Sequence, residues 1–197
     1  SASDLNNAYS SSGISGLGNE SITISDTSID ASALNILDSN TTGVIDASAV
    51  TTLSGSASDL NTAYSSSEIS GLGNESITIS DTSIDASALN TLDANTAGII
   101  DASAVTTLSG SASDLNNAYS SSGISGLGNE TVLVNSGSSS VLLANNLSAA
   151  TSGVVSATLS DGDMATLANL SGNDNAYTIT ISDTSVDASA LNTLDSK

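Results

Sequence analysis

Cysteine, proline, histidine, phenylalanine and tryptophan are all missing from this 197-residue chain, and so is nearly every positive charge. Without cysteine there is no disulfide and no thiolate metal site. That absence does not argue against secretion, because large bacterial proteins exported unfolded often avoid cysteine. A chain without proline is unlike a disordered linker and suits a regular repeat. Four Tyr are the only aromatic residues, so a core must be built from the Ala, Val, Ile and Leu that make up most of the 38% hydrophobic content. Such small side chains fill thin layers rather than a thick globular centre. One Lys stands against 21 acidic residues, for a formal net charge of −20. That surface repels nucleic acid, whose binding needs Lys and Arg to displace counterions. It repels anionic membranes in the same way and keeps identical chains apart in solution. No run of about 18 apolar residues occurs, so no membrane insertion is expected. The chain opens at Ser1 in the middle of a pattern, with no leader and no initiator Met, and a fragment of a longer protein is the expectation.

What is present is repetition. Ser1-Ala-Ser-Asp-Leu-Asn returns at Ser56 and again at Ser111, in two equal steps. Residues 1–55 and 56–110 differ at six positions: Asn7/Thr62, Gly13/Glu68, Ile36/Thr91, Ser39/Ala94, Thr42/Ala97 and Val44/Ile99. The third copy is faithful over 111–130, a divergent stretch covers 131–176, and a partial repeat occupies 177–197. Inside each repeat a Leu-Asn pair marks a subdivision, at Leu5, Leu34, Leu60, Leu89, Leu115 and Leu191, with Ala144 and Leu167 as its equivalents in the divergent part. These markers divide the chain into eight units averaging about 27 residues.

Each unit has one grammar. In residues 76–98, Ile77-Thr-Ile79-Ser alternates with the strand period. Asp85 is a good N-cap for a helix that places Ala88, Leu89 and Leu92 on one face, and Gly98 is expected to stop that helix in a left-handed conformation. Ile99-Ile100 and Val105 to Leu108 read as strand, and Ser111 with Asp114 reads as a capping box before Leu115, Ala118 and Tyr119. The Asn after each Leu (Asn6, Asn35, Asn61, Asn90, Asn116, Asn192) is placed to cap backbone groups of a neighbouring turn. The fold expected is an α/β class, elongated repeat solenoid of about eight coils of roughly 27 residues, each with short parallel strands and one short helix. Ser, Thr and Asn are mediocre helix formers, so an all-β solenoid is the alternative. The partners expected are neighbouring repeats of the same chain, with end-to-end or lateral self-association of uncapped ends.

The strings Ile77 to Asp93, Ile99 to Gly110 and Gly123-Ile-Ser-Gly-Leu-Gly-Asn-Glu130 resemble repeats of giant acidic exoproteins of marine bacteria, notably picocyanobacteria. The resemblance covers nearly the whole chain and is weakest over 131–176. It implies an extracellular or cell-surface protein associated with adhesion, surface layers or motility. Similar repeats in phage fibres would imply another location.

Chemistry is constrained by what the chain lacks. A catalytic Ser needs a base, and the only candidate is Lys197 at the terminus. A polysaccharide lyase needs a basic residue in the same way. Paired carboxylates could serve a glycosidase. Asp26/Asp30 recur as Asp81/Asp85 and Asp183/Asp187, but residues that follow the repeat read better as helix caps (the Asp30 type) and turn residues (the Asp26 type). No catalytic, cofactor-binding or metal residue is assigned, and no enzyme activity is expected. Calcium is the one ion left open: Ser160-Asp-Gly-Asp163 and Gly172-Asn-Asp-Asn175 are short candidates that complete no EF-hand loop and read first as turns. Ice binding is a rival class, although Thr23, Thr78 and Thr180 stand singly, and the adjacent Thr51-Thr52 and Thr106-Thr107 would face opposite ways in a strand. Tyr9, Tyr64 and Tyr119 are expected to cover the core edge with their hydroxyls in water rather than to stack on sugars. The function expected is a structural spacer of a large extracellular protein. An adhesin face for glycan or ice, with or without calcium, is the alternative.

Overall fold

The computed structural model describes residues 1–197. The element order is α1 (Ala2–Tyr9), β1 (Ile22–Thr23), β2 (Ser28–Asp30), α2 (Ala31–Asn40), β3 (Ile45–Asp46), β4 (Thr52–Gly55), α3 (Ala57–Ser65), β5 (Ile69–Ser70), β6 (Ser76–Ile79), β7 (Ser83–Asp85), α4 (Ala86–Asn95), β8 (Ile100–Asp101), β9 (Thr107–Ser111), α5 (Ala112–Ser120), β10 (Ile124–Ser125), β11 (Thr131–Ser136), α6 (Val141–Ala150), β12 (Val155–Thr158), α7 (Met164–Leu167), β13 (Ala176–Thr178) and α8 (Ala188–Asp195). The class is α/β with parallel sheets, and eight helices replace the all-β alternative.

Two compact units interleave along the sequence. The first holds Ser1–Asp81, Thr91–Ala104 and Gly123–Ser125, and contains the sheets β1-β3-β5 and β10-β8-β6-β4-β2. The second holds Thr82–Asn90, Val105–Ser122 and Gly126–Lys197, and contains the sheet β13-β12-β11-β9-β7.

Register explains the core. In the first unit Ile22, Ile45 and Ile69 are paired in one rank, and Ile29, Leu53, Ile77, Ile100 and Ile124 in another. In the second unit Ile84, Leu108, Val132 and Val155 line up in the same way. Like side chains thus pile on like, and most of these residues are buried. Polar neighbours such as Ser28, Thr78 and Thr131 face outward, as strand alternation requires.

The step between paired strands in these ranks, Ile29 to Leu53 or Ile22 to Ile45, is shorter than the average step between helices. The two periods cannot stay in phase, and this limits each sheet. One strand step after Ile69 falls on Asp93, inside α4, and one after Ile124 falls on Ser148, inside α6. One step before Ile29 and Ile84 fall Leu5 in α1 and Leu60 in α3. A helical segment cannot extend a ladder, so the sheets end at β5, β10, β2 and β7, where a helix takes the next place. In the divergent part the step is shorter again, with Ala157 paired to Tyr177.

The helices begin as the sequence suggests. Ser1, Ser56 and Ser111 cap α1, α3 and α5 through the N–H three residues on, with a full capping box at Ser1. Asp30 and Asp187 cap α2 and α8. The inner helices then bury an Ala and Leu face: Ala31, Leu34 and Leu37 of α2, and Ala57, Leu60 and Ala63 of α3, whereas α8 buries none of its residues. Gly98 differs from expectation. It has no positive φ, and α2, α3, α5 and α6 end in extended residues such as Thr41 and Thr151.

Leu53 is fully buried and lies between Ile29 and Ile77 in the sheet. Leu53→Ala is expected to cost about 2–5 kcal/mol, whereas Leu142→Ala, at a side chain 69% exposed, should stay within about 0.5 kcal/mol. Urea midpoints of the two variants check this, and equal midpoints would show that Leu53 is not a core residue.

Candidate functional site

The densest polar cluster occurs three times, once in each repeat. In its second copy Tyr64 Oη donates to Glu75 Oε2 at 2.7 Å, and the Gly73 N–H donates to both carboxylate oxygens at 3.1 and 2.8 Å. Thr96 Oγ1 donates to the Glu75 main-chain carbonyl at 3.3 Å and accepts from the Gly98 N–H at 3.0 Å. In the third copy Tyr119 donates to Glu130 at 2.9 Å, the Gly128 N–H to both oxygens, and Thr151 Oγ1 to the Glu130 carbonyl at 2.7 Å. The first copy repeats the pattern with Tyr9, Gly18, Glu20, Thr41 and Gly43. The tight turn that brings each glycine N–H back onto the carboxylate needs glycine, since Gly18, Gly73 and Gly128 have φ of 131°, 139° and 135°.

Glu75 and Glu130 are completely buried, while Glu20 is half-exposed. The N–H groups of Gly18 and of Glu20 itself hold the Glu20 carboxyl below its ordinary range. Burial pushes the phenols of Tyr9, Tyr64, Tyr119 and Tyr177 above theirs, and the bonded carboxylate adds to this for the first three. The expectation that the Tyr hydroxyls of the repeat lie in water is therefore corrected. Chemically the cluster is a joint: a sealed carboxylate filled by a phenol and N–H donors has little left to offer a substrate.

The carboxylate pairs are split between separate duties. Asp30, Asp85 and Asp187 accept from the N–H groups of Ser32, Ser87 and Ser189 at their own helix starts. Asp26, Asp81 and Asp183 accept instead from Ala2, Ala57 and Met164 at 2.7, 2.7 and 2.6 Å, each capping an earlier helix of the chain. The turn role expected for the Asp26 type thus includes a long-range cap. Of the calcium candidates, Asp161 caps α6 through Val141 and Asp163 caps α7. Asn175 joins Val155 and Ser148, and Asp174 takes a positive φ. No group of three or more His, Cys, Asp or Glu side chains converges to hold a metal. No helix is long and apolar enough to cross a membrane.

The Asn side chains cap as expected in several places: Asn6, Asn35 and Asn90 donate to the carbonyls of Ala33, Asp59 and Asp114, and in the divergent stretch Asn145 donates in the same way to Asn169. Asn116 turns back onto Ala112 of its own helix. Thr51 and Thr106 donate to the carbonyls of Thr27 and Thr82 and so spend their hydroxyl hydrogens within the chain.

No family model, no curated protein and no solved structure matches this chain. The signal that finds the cluster in sequence is a recurrent order at fixed spacing, Tyr64, Glu75, Thr96 and Gly98 in the second copy. Tyr119, Glu130, Thr151 and Gly153 keep the same spacing, the last two inside the divergent stretch.

The raised phenols fix an alkaline limit. A group whose pKa is raised by folding contributes stability that is complete below the unfolded value, here 10.0, and is lost as pH rises through the folded values. Absorbance by tyrosinate should show no Tyr ionising near the ordinary phenol value and a cooperative rise above it, together with loss of the far-UV circular dichroism. Tyr64→Phe, which leaves Glu75 short of a donor, should cost about 1–3 kcal/mol. Four independent titrations at the ordinary phenol value would contradict the cluster.

Proposed function

We propose that this chain is a structural spacer: an elongated repeat solenoid of eight units that forms one segment of a large extracellular or cell-surface protein and catalyses nothing. The supporting observation is that the same polar joint recurs at Glu20, Glu75 and Glu130, and that at Glu75 and Glu130 the carboxylate is buried and takes donors on both oxygens. A binding or catalytic site departs from such a repeat, because it needs groups left free for a ligand. The charge of −20 fits a rod that stays soluble and apart from nucleic acid and anionic membranes. Near-identical copies, 1–55 and 56–110, fit selection for length, since adding a copy extends reach and leaves the chemistry alone.

An adhesin face for glycan or ice is the second reading. Outward hydroxyl ranks carry it: Ser28, Thr52 and Ser76 in one sheet, and Ser83, Thr107 and Thr131 in another.

The spacer reading gives a length. One copy of residues 56–110 holds a little over two strand steps, and strands are spaced by about 4.8 Å, so one inserted copy should lengthen the particle by about 11 Å in X-ray scattering. The melting temperature should be the same in calcium and in EDTA. No gain in length with added copies would remove the spacer reading, and a rise of many degrees in calcium would favour the adhesin.

A further inference from the structure

The triplet Asn-x-Ser/Thr, with x other than Pro, occurs six times, at Asn19, Asn40, Asn74, Asn129, Asn146 and Asn169. In a chain this rich in Asn, Ser and Thr, composition alone produces such triplets, and three of them are occupied by the fold. Asn169 Nδ2 donates to the carbonyls of Ala165 and Thr166 at 3.0 and 3.2 Å. Asn40 and Asn146 belong to α2 and α6, and the hydroxyls two residues on are engaged. Thr42 Oγ1 donates to the Gly18 carbonyl at 3.3 Å, and Ser148 Oγ accepts from Asn175 Nδ2 at 3.1 Å.

The other three sit at the polar joint. Asn19, Asn74 and Asn129 each follow its glycine, and the middle residue of each triplet is the glutamate of the joint itself. Burial alternates across the triplet: Asn74 and Ser76 are exposed and Glu75 is buried, and Asn129, Glu130 and Thr131 repeat this. The acceptor amide and the hydroxyl therefore project from one side of an extended segment. The middle residue is pinned inward by Tyr64 and the Gly73 N–H in one copy, and by Tyr119 and the Gly128 N–H in the other. Asn74 and Asn129 both have repeats before and after them, so their exposure owes nothing to uncovered ends.

No structural duty accounts for these Asn. Asn6, Asn35 and Asn90 donate to carbonyls, but the Asn74 and Asn129 side chains make no hydrogen bond. Neither has the positive φ that would favour Asn in a turn. Between the second copy and the third, Ser76-Ile77 becomes Thr131-Val132, and the hydroxyl is kept through the change.

We propose that Asn74 and Asn129, with Asn19 as their counterpart in the first copy, are acceptors of N-linked sugar. The donor is a sugar activated as a diphosphate ester, carried on a nucleoside or on a lipid, and a glycosyltransferase brings it to the folded repeat. Asn Nδ2 attacks the anomeric carbon. The C1–Nδ2 bond forms, the C1–O bond to phosphate breaks, and the diphosphate leaves with the electron pair, while the Nδ2 proton passes to a base of the transferase. An amide tied to a carbonyl, as at Asn169, cannot turn to make this attack; the free amides at Asn74 and Asn129 can. The sugar then stands outside the joint, whose glutamate faces inward. The modification stands independently of the spacer role and needs only this exposed triplet.

Peptide mass analysis of the chain as its own cell produces it tests this, after cleavage at aspartate, which the chain has in every repeat. Sugar is expected on the peptides that hold Asn74 and Asn129. Hexoses added singly would mark a nucleotide-carried donor, and a preassembled oligosaccharide a lipid-carried one. Ser76→Ala, at an exposed side chain without a hydrogen bond, should abolish sugar at Asn74 and leave Asn129 unchanged, and Ser76→Thr should restore it. Far-UV circular dichroism checks that both variants fold. Unmodified peptides at Asn74 and Asn129, sugar confined to Asn40, Asn146 or Asn169, or sugar at Asn74 that persists in Ser76→Ala overturns the proposal. A chain bare of sugar that still lengthens with each added repeat keeps the spacer reading and removes only this one.

Discussion

At Gly43, Gly98 and Gly153 the main chain passes so close to the carbonyls of Glu20, Glu75 and Glu130 that a Cβ would collide with them. Each glycine lies one strand step along the chain from its glutamate, and just beyond it the strands Ile22/Ile45, Ile77/Ile100 and Val132/Val155 pair at that same step. Elsewhere in the ranks the step is longer by a single residue. The close approach therefore sets the register at one point in every repeat. The Thr-x-Gly turn, the buried carboxylate and the Tyr above it all serve that point. None of these three glycines needs a positive φ; what they supply is the absence of a side chain.

Everything else follows from thin layers. A single strand-and-helix stretch built on Ala, Val, Ile and Leu cannot enclose its own side chains, so the next stretch must cover them and also satisfy its polar groups. The long-range caps by Asp26 and Asp81 and the Asn35 and Asn90 bonds each reach one such stretch along the chain. Apolar cover and polar partner thus arrive from the same neighbour. Because helices recur at a longer step than strands, a helix enters each ladder in turn and ends it, and no sheet grows a long bare edge within the repeats.

Much of this is legible in the sequence, because helix caps and strand alternation are local. Ser111 with Asp114, Asp85 before Ala86, and Ile77-Thr-Ile79 all act where their patterns place them. The helix spacing is equally readable from the Leu-Asn pairs. The strand step is not, because register between distant segments leaves no mark in either segment alone. The Tyr–Glu joint is not legible in any one copy, where a Glu after Gly-x reads as a solvated loop residue; only its fixed spacing from copy to copy marks it, and the closure of the fold brings Tyr64 onto Glu75. Gly98 reads as a helix stop for a related reason: helix-stopping glycines are common, and close backbone approach has no local signature.

The central claim is that the close approach at the glutamate carbonyls sets the register and holds the layers together. Gly98→Ala tests it most directly. The added methyl meets the Glu75 backbone, which is not free to move, and overpacking of this kind costs about 1–3 kcal/mol or more. Thermal unfolding should show the melting temperature lowered by at least about 3–5 °C, with the transition still cooperative. A variant that melts within about 1 °C of the parent would contradict the account, because the main chain at Gly98 would then have room that this packing denies it.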